Sequence, residues 1–354
     1  MRLSLKRKAE ALLSYKQSGD KNAKYLIGID AAANELDASP DVFAPVFKFL
    51  RKSELFRFTY HVGEDFRHLI SGIRAIDEAV EFLDMHIGDR LGHCTALGIE
   101  PSIWSKHYIG KTYIPRGEWL FNLVWTWDII NTNKECANIQ YLIPKIEIYI
   151  MRYSQEIFEK IYSPFELLKS WKFRKHDPNV YLKENRNYYY SSDIIEDYEE
   201  WEDITHKLKS NEYLDHINYM YYKYKPSRQK YDEYIKIEDD ELFDCDFLRI
   251  IQCCELKKII SKGIIIETLP SSNYCISQYE EFDEYHFERW INEKEMYNPT
   301  LVIGTDDPGI FSTNIYNEYS RIFLYLKRKN YPVGTIMQRI KEIQQNSKNY
   351  SFGI

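Results

Sequence analysis

FRFTYHVGEDFRHLISGIRAIDEAVEFLD (56–84) decides how the chain is read. Its first part, FRFTYHV (56–62), is strand-like. HLISGIRAIDEAVEFLD (68–84) then repeats apolar residues at i, i+3 and i+4, the spacing of one helix face. Working outward, the unit recurs. YLIGIDAA (25–32) reads as a buried strand and DVFAPVFKFLRK (41–52) as a helix; DRLGHCT (89–95) is a strand. Further on, GIIIETLP (263–270) and TLVIGTDDP (300–308) read as strands, and residues 314–329 as a helix. Strands alternating with helices imply parallel strands in an α/β fold.

Between these flanks the character changes. No glycine lies between Gly117 and Gly263, where average usage would place roughly ten. The stretch is rich in tyrosine and mostly helical in pattern, and it reads as an insertion. The chain thus divides into residues 1–100, an aromatic-rich helical insertion at 101–262, and residues 263–354. The aromatics of RGEWLFNLVWTWDII (116–130) read first as core, since they are large buried hydrophobes. The acidic run DIIEDYEEWED (193–203) reads as a solvated face. Near the start, Ala9, Leu12, Leu13 and Tyr15 suit one helix face.

Composition narrows the class. The 354 residues carry a net charge of -7, with 44% hydrophobic and 29% charged residues, as in a soluble globular protein. That charge gives no signal for direct nucleic-acid binding. No apolar run is long enough to span a bilayer, and the basic N-terminus lacks the apolar core of a signal peptide. The six scattered cysteines form no CxxC pair and read as reduced thiols of a cytoplasmic protein.

Four polar clusters fall at the C-terminal ends of expected strands: His61 and Glu64 in HVGE, His93 in RLGHC, PSSN (270–273), and Asp306 with Asp307 in TDDP. In parallel α/β barrels, loops from different strands converge at this end to build sites. Taken singly each cluster has a structural reading; Asp-Asp-Pro, for instance, suits a helix start. Together they supply what a metal hydrolase uses. Imidazole and carboxylate bind Zn²⁺, bound Zn²⁺ makes water acidic enough to attack at neutral pH, and a nearby carboxyl can move the proton.

The ordered motifs GIDAAANE, HVGE, RLGHC, ETLPSSN and TDDPGIF resemble the adenosine/AMP deaminase branch of the amidohydrolase superfamily, over roughly half of the chain. HVGEDFRHLISGIRAIDEAVEFL and GTDDPGIFSTNIYNEYSRI are most similar to the deaminase subunit of the RADAR anti-phage system. The resemblance implies a parallel (β/α) TIM-type barrel of the metal-dependent hydrolase kind, of which this chain holds strands 4–8. It implies His61 and Asp306 as ligands of one Zn²⁺ per site, Glu64 as the proton shuttle, and His93 as the residue that orients the attacking hydroxide. Asp307 and the backbone at Ala33 would contact the purine. It also implies a purine nucleoside or nucleotide substrate, a homo-oligomer and an ATPase partner.

The chain departs from that pattern in two places. The family's HxH motif is absent, because none of the nine histidines precedes His61; the Zn²⁺ ligand set within the chain is therefore incomplete. Ala33 stands where the family has glycine. Three readings stay open from the residues: a deaminating enzyme, a non-catalytic shell or scaffold subunit or inactive remnant of one, and another amidohydrolase acting on a different amine or ester.

Overall fold

The computed structural model describes residues 1–32, 34–108, 112–175, 225–237, 242–277, 279–292 and 297–352. Ala33 and the acidic run at 193–203 lie outside them. Seven strands are described: β1 Gly28–Ala31, β2 Arg57–Val62, β3 Arg90–His93, β4 Tyr113–Pro115, β5 Tyr234–Lys236, β6 Ile265–Thr268 and β7 Leu301–Ile303. The first helices are α1 Arg2–Gln17, α2 Pro40–Arg51, α3 Leu69–Phe82, α4 Thr95–Gly98 and α5 Pro101–Tyr108. The middle of the chain adds α6 Arg116–Thr132, α7 Ile143–Phe158, α8 Pro164–Lys172, α9 Lys225–Asp232 and α10 Cys245–Ser261. The last four are α11 Pro270–Ile276, α12 Phe287–Ile291, α13 Ile315–Arg328 and α14 Val333–Asn349.

Five strands form one all-parallel sheet in the order β1-β2-β3-β6-β7. The order follows the chain without reversal, so each crossover steps the same way across the sheet. The expected strands all form, trimmed at their ends. The register sets His61 beside Gly92 and Val62 beside His93, which brings the tips of β2 and β3 together. β4 and β5 pair antiparallel in a separate ribbon. The sequence reading did not anticipate it, because strands of three residues are too short to show a period.

α3 explains much of the packing. His68 caps it, with Nδ1 accepting the Ile70 N–H at 3.1 Å, which satisfies one of the free donors of the first turn. One face buries Leu69, Ile73, Ile76 and Val80. The other face is buried too, although it carries Arg74, Asp77 and Glu78. Arg74 bonds Glu78 at 2.7 Å and Asn122 at 2.8 Å. The indole N–H groups of Trp125 and Trp171 donate to Asp77 and Glu78, each at 2.7 Å. α6 and α8 thus cover α3 with aromatic rings whose polar tips match its acids. In α6, Trp119, Phe121 and Trp125 are buried together with Leu120, Leu123 and Val124, so most of its aromatics serve as core.

α1 lies against α2, with Ala9 buried and Leu12 and Leu13 packed on the core. Tyr15 is exposed instead: a residue six positions after Ala9 has rotated off the 9, 12, 13 face. Among the described residues, no helix is long and apolar enough to cross a membrane.

Candidate metal centre at the strand ends

His61 is the penultimate residue of β2, and its ring lies across the neighbouring strand. A Cβ at Gly92 would collide with that ring. The glycine of RLGH therefore gives the imidazole its place, by a close approach that only glycine allows. His93 ends β3, and the rings of His61 and His93 meet edge to face with centroids 5.0 Å apart. Asp306 follows β7 by three residues. His93 and Asp306 both have left-handed backbone, with φ of 65° and 54°. Non-glycine residues held there are uncommon and concentrate at functional sites.

The three side chains converge. Ligand atoms of His61, His93 and Asp306 all lie within 4.8 Å of one another. Two imidazoles and a carboxylate are the donor types that Zn²⁺ and related divalent ions accept, so the set fits a metal ion. Asp306 Oδ2 accepts the Ser272 hydroxyl at 2.6 Å, an outer contact of the kind that orients a ligating carboxylate. Asp30 adds a carboxylate 3.6 Å from His61 Nε2.

Hydrogen bonding assigns the protons. His93 Nδ1 sits 2.7 Å from the Asn273 carbonyl oxygen, while the Asn273 amide nitrogen donates to the Tyr285 hydroxyl at 3.2 Å. A carbonyl oxygen only accepts, so Nδ1 carries the proton and Nε2 is left with a lone pair. That lone pair faces Glu64 Oε2 at 3.0 Å. Burial, then the nearby His61, pushes His93 down to about 4. Burial, followed by the negative charges of Glu35 and Asp306, pushes Glu64 up to about 8. At neutral pH the pair is therefore a neutral imidazole accepting from a protonated carboxyl group.

A cleft of about 750 Å³ runs along one face of the sheet, from Gly28 and Arg90 at strand starts to His61, Asp306 and Asp307 at the C-terminal ends. It is large enough for a small organic ligand. Asp307 is exposed on its wall, and its carbonyl accepts from Ile310 and Phe311. The cap of α13 is Asn314, whose side chain accepts the Asn317 N–H. TDDP therefore does not serve as the cap of that helix. The Phe352 ring also lines the cleft, 4.1 Å from the Arg90 guanidinium.

No family model matches the chain, and no curated protein matches it.

What the site can do rests on its donors, their protonation and their spacing. The structure brings His61, Glu64, His93 and Asp306 into one cluster and sets Asp307 on the adjoining wall. Ala33 lies outside the described residues. His68 is remote in character from the cluster: it is buried among Trp104, Trp119 and Phe243. Cys94 is fully buried, and burial pushes its thiol well up, which suits packing and not nucleophilic attack.

Three supporting residues were not assigned roles from sequence. Ser272 and Asn273 belong to the PSSN motif, which the sequence marked only as a polar cluster after a strand; the structure buries both. Glu35 closes GIDAAANE, and its carboxylate accepts the backbone N–H groups of Gly63, Glu64 and Asp65.

Proposed function

We propose that the chain belongs to a metal-dependent hydrolase barrel of the adenosine/AMP deaminase kind and supplies part of its ligand set, and that its strand-end cluster serves the deamination of adenosine or an adenine nucleotide to the inosine form. The observation that carries this reading is the meeting of His61, His93 and Asp306 within 4.8 Å, with a protonated Glu64 held 3.0 Å from His93. The strand order, running with the chain and never reversing, supports the barrel; a doubly wound sheet would reverse.

His61 and Asp306 would hold the ion, with His93 Nε2 turned toward the same volume. A divalent ion there, zinc by the resemblance, would supply the acidity that makes water a nucleophile near pH 7. The chain's own residues then handle the protons. As Glu64 turns its proton to the substrate, the lone pair of His93 Nε2 is released and accepts a proton from the attacking water. Glu64, protonated at neutral pH, donates its proton to the ring nitrogen next to the attacked carbon. The proton taken by His93 then passes to the amine, which leaves as ammonia as its bond to the ring carbon breaks, and the new hydroxyl gives its proton back to Glu64. Asp307 lines the cleft wall and, by the resemblance, would hydrogen-bond the purine ring. Service in anti-phage defence as a homo-oligomer with an ATPase partner is the biological setting that the resemblance suggests.

The test is the absorbance change from adenosine to inosine, run on Zn²⁺-loaded protein beside Glu64→Gln. Loss of general acid catalysis is worth roughly 10²–10⁴-fold, and that fall in rate is expected with metal content unchanged. Full activity in Glu64→Gln would remove Glu64 from the mechanism. Purified chain that takes up no stoichiometric metal and forms no inosine would favour the scaffold reading.

A further inference from the structure

We propose that Glu35 is a positioning residue of this site, its carboxylate anchoring the turn at 63–65 so that the Glu64 side chain meets His93. The kinetic part of this inference rests on the deamination reading; the geometric part does not.

β1 and β2 pair in parallel, with Ala31 beside Tyr60. The segment leaving β1 therefore runs next to the turn leaving β2. Glu35 uses that neighbourhood fully. Oε1 accepts the Gly63 N–H at 2.8 Å, and Oε2 accepts those of Glu64 and Asp65 at 3.0 and 3.2 Å. Three successive backbone donors thus point at one carboxylate, an anion-binding concavity filled by the chain's own side chain.

The turn has little room to adopt another shape. Gly63 has φ of +76°, and a Cβ there would collide with Ile76. On the far side the Gly63 carbonyl accepts the Ala96 N–H at 2.8 Å, which ties the turn to the segment following His93. Val62 and Phe66, on either side, are buried. Glu35 is the polar member of this clamp. Without it, three N–H groups lose their acceptor, and the turn is free to swing the Glu64 side chain away from Nε2 of His93. A displacement on the order of 1 Å at a proton-transfer group can cost about 10²-fold in rate.

Glu35 bonds none of His61, His93 and Asp306 in this arrangement; it acts through Glu64. Glu35→Gln tests this, because it keeps the size of the side chain but sets an NH₂ group against backbone donors. In ¹⁵N-labelled full-length protein, the substitution is expected to shift the Glu64 and Asp65 amide protons upfield and to move the His93 Nε2 resonance as its bond from Glu64 weakens. In the deamination assay kcat is expected to fall about 10- to 100-fold, with KM changed less than about twofold.

An unchanged His93 Nε2 resonance overturns the proposal, even where the melting temperature falls, since Glu35 would then be only a brace for the loop. If the unsubstituted protein forms no inosine, the deamination reading fails and the resonance alone decides about Glu35. If Glu35→Gln does not fold, hydrogen exchange at the 63–65 amides of the unsubstituted protein decides. Protection supports the clamp, and exchange as fast as in exposed loops overturns it.

Discussion

His68 and His93 are both buried histidines, at opposite ends of the same stretch of chain, and they show two uses of one side chain. His68 stands on the insertion side of α3. Its Nδ1 accepts a backbone N–H, and its ring lies between those of Trp104 and Trp119, at centroid distances of 4.7 and 5.2 Å. His93 stands at the C-terminal end of β3, the central strand of the sheet. Its Nδ1 donates to Asn273, and its Nε2 is presented to Glu64 and Asp306. The carboxylates around them divide in the same way. Glu78, under the insertion, receives Arg74, Arg174 and Trp171. Glu64 is instead held in its protonated form by burial first, and then by the neighbouring acids Glu35, Asp306 and Asp65. A buried acid matched by cations is structural; one surrounded by other acids is kept ready to give up a proton.

The contrast breaks most visibly at the core. Trp125→Ala removes a fully buried ring and leaves Asp77 without its indole donor. A loss of about 3–5 kcal/mol in unfolding free energy is expected, read by urea denaturation. Metal uptake in the protein that remains folded should stay close to that of the unsubstituted chain. A proportional loss of metal affinity would show that the two regions are one cooperative unit at the site.

The next effect concerns His68. Burial depresses it to about 3, below its ordinary 6.5, so the folded state holds it neutral while the unfolded chain protonates it more readily. Its contribution is fully present above about pH 6.5 and is lost as pH falls from there toward about 3. One pKa unit corresponds to about 1.4 kcal/mol, so the total reaches at most ~5 kcal/mol. His68→Asn, which retains a capping acceptor, should show a flatter decline of stability between pH 6.5 and 4. Identical pH profiles for the two proteins would place His68 in a more solvated setting.

The smallest effect is at Gly92. A methyl group there displaces the His61 ring. Gly92→Ala should weaken metal binding by roughly 10- to 100-fold, as loss of ligand support does elsewhere, with the fold kept. Unaltered affinity by competition with a chelator would mean that His61 is not a ligand.

Much of the scaffold was legible before the structure. Every strand that carries a site residue was readable from its apolar run and its position before a helix. Gly92 and Gly304 were visible as residues but not as reasons: only the fold shows His61 lying over one and Leu269 and Glu267 against the other. Tyr15 was misplaced on its helix face, because a short amphipathic stretch constrains the angle of its end residue weakly. The ribbon of β4 and β5 was invisible, since its two strands are brief and lie far apart in the chain.

Residue type and spacing by themselves determined the alternation of strands and helices and placed His61, Glu64, His93 and Asp306 at strand ends, because periodicity and local polarity are short-range properties. The tertiary structure decided which of these groups face one another, which tautomer His93 adopts, and that Glu35 reaches across 28 positions to grip the turn at 63–65. Those features depend on strand register and on burial. Both arise only when distant segments pack and water is removed from between them.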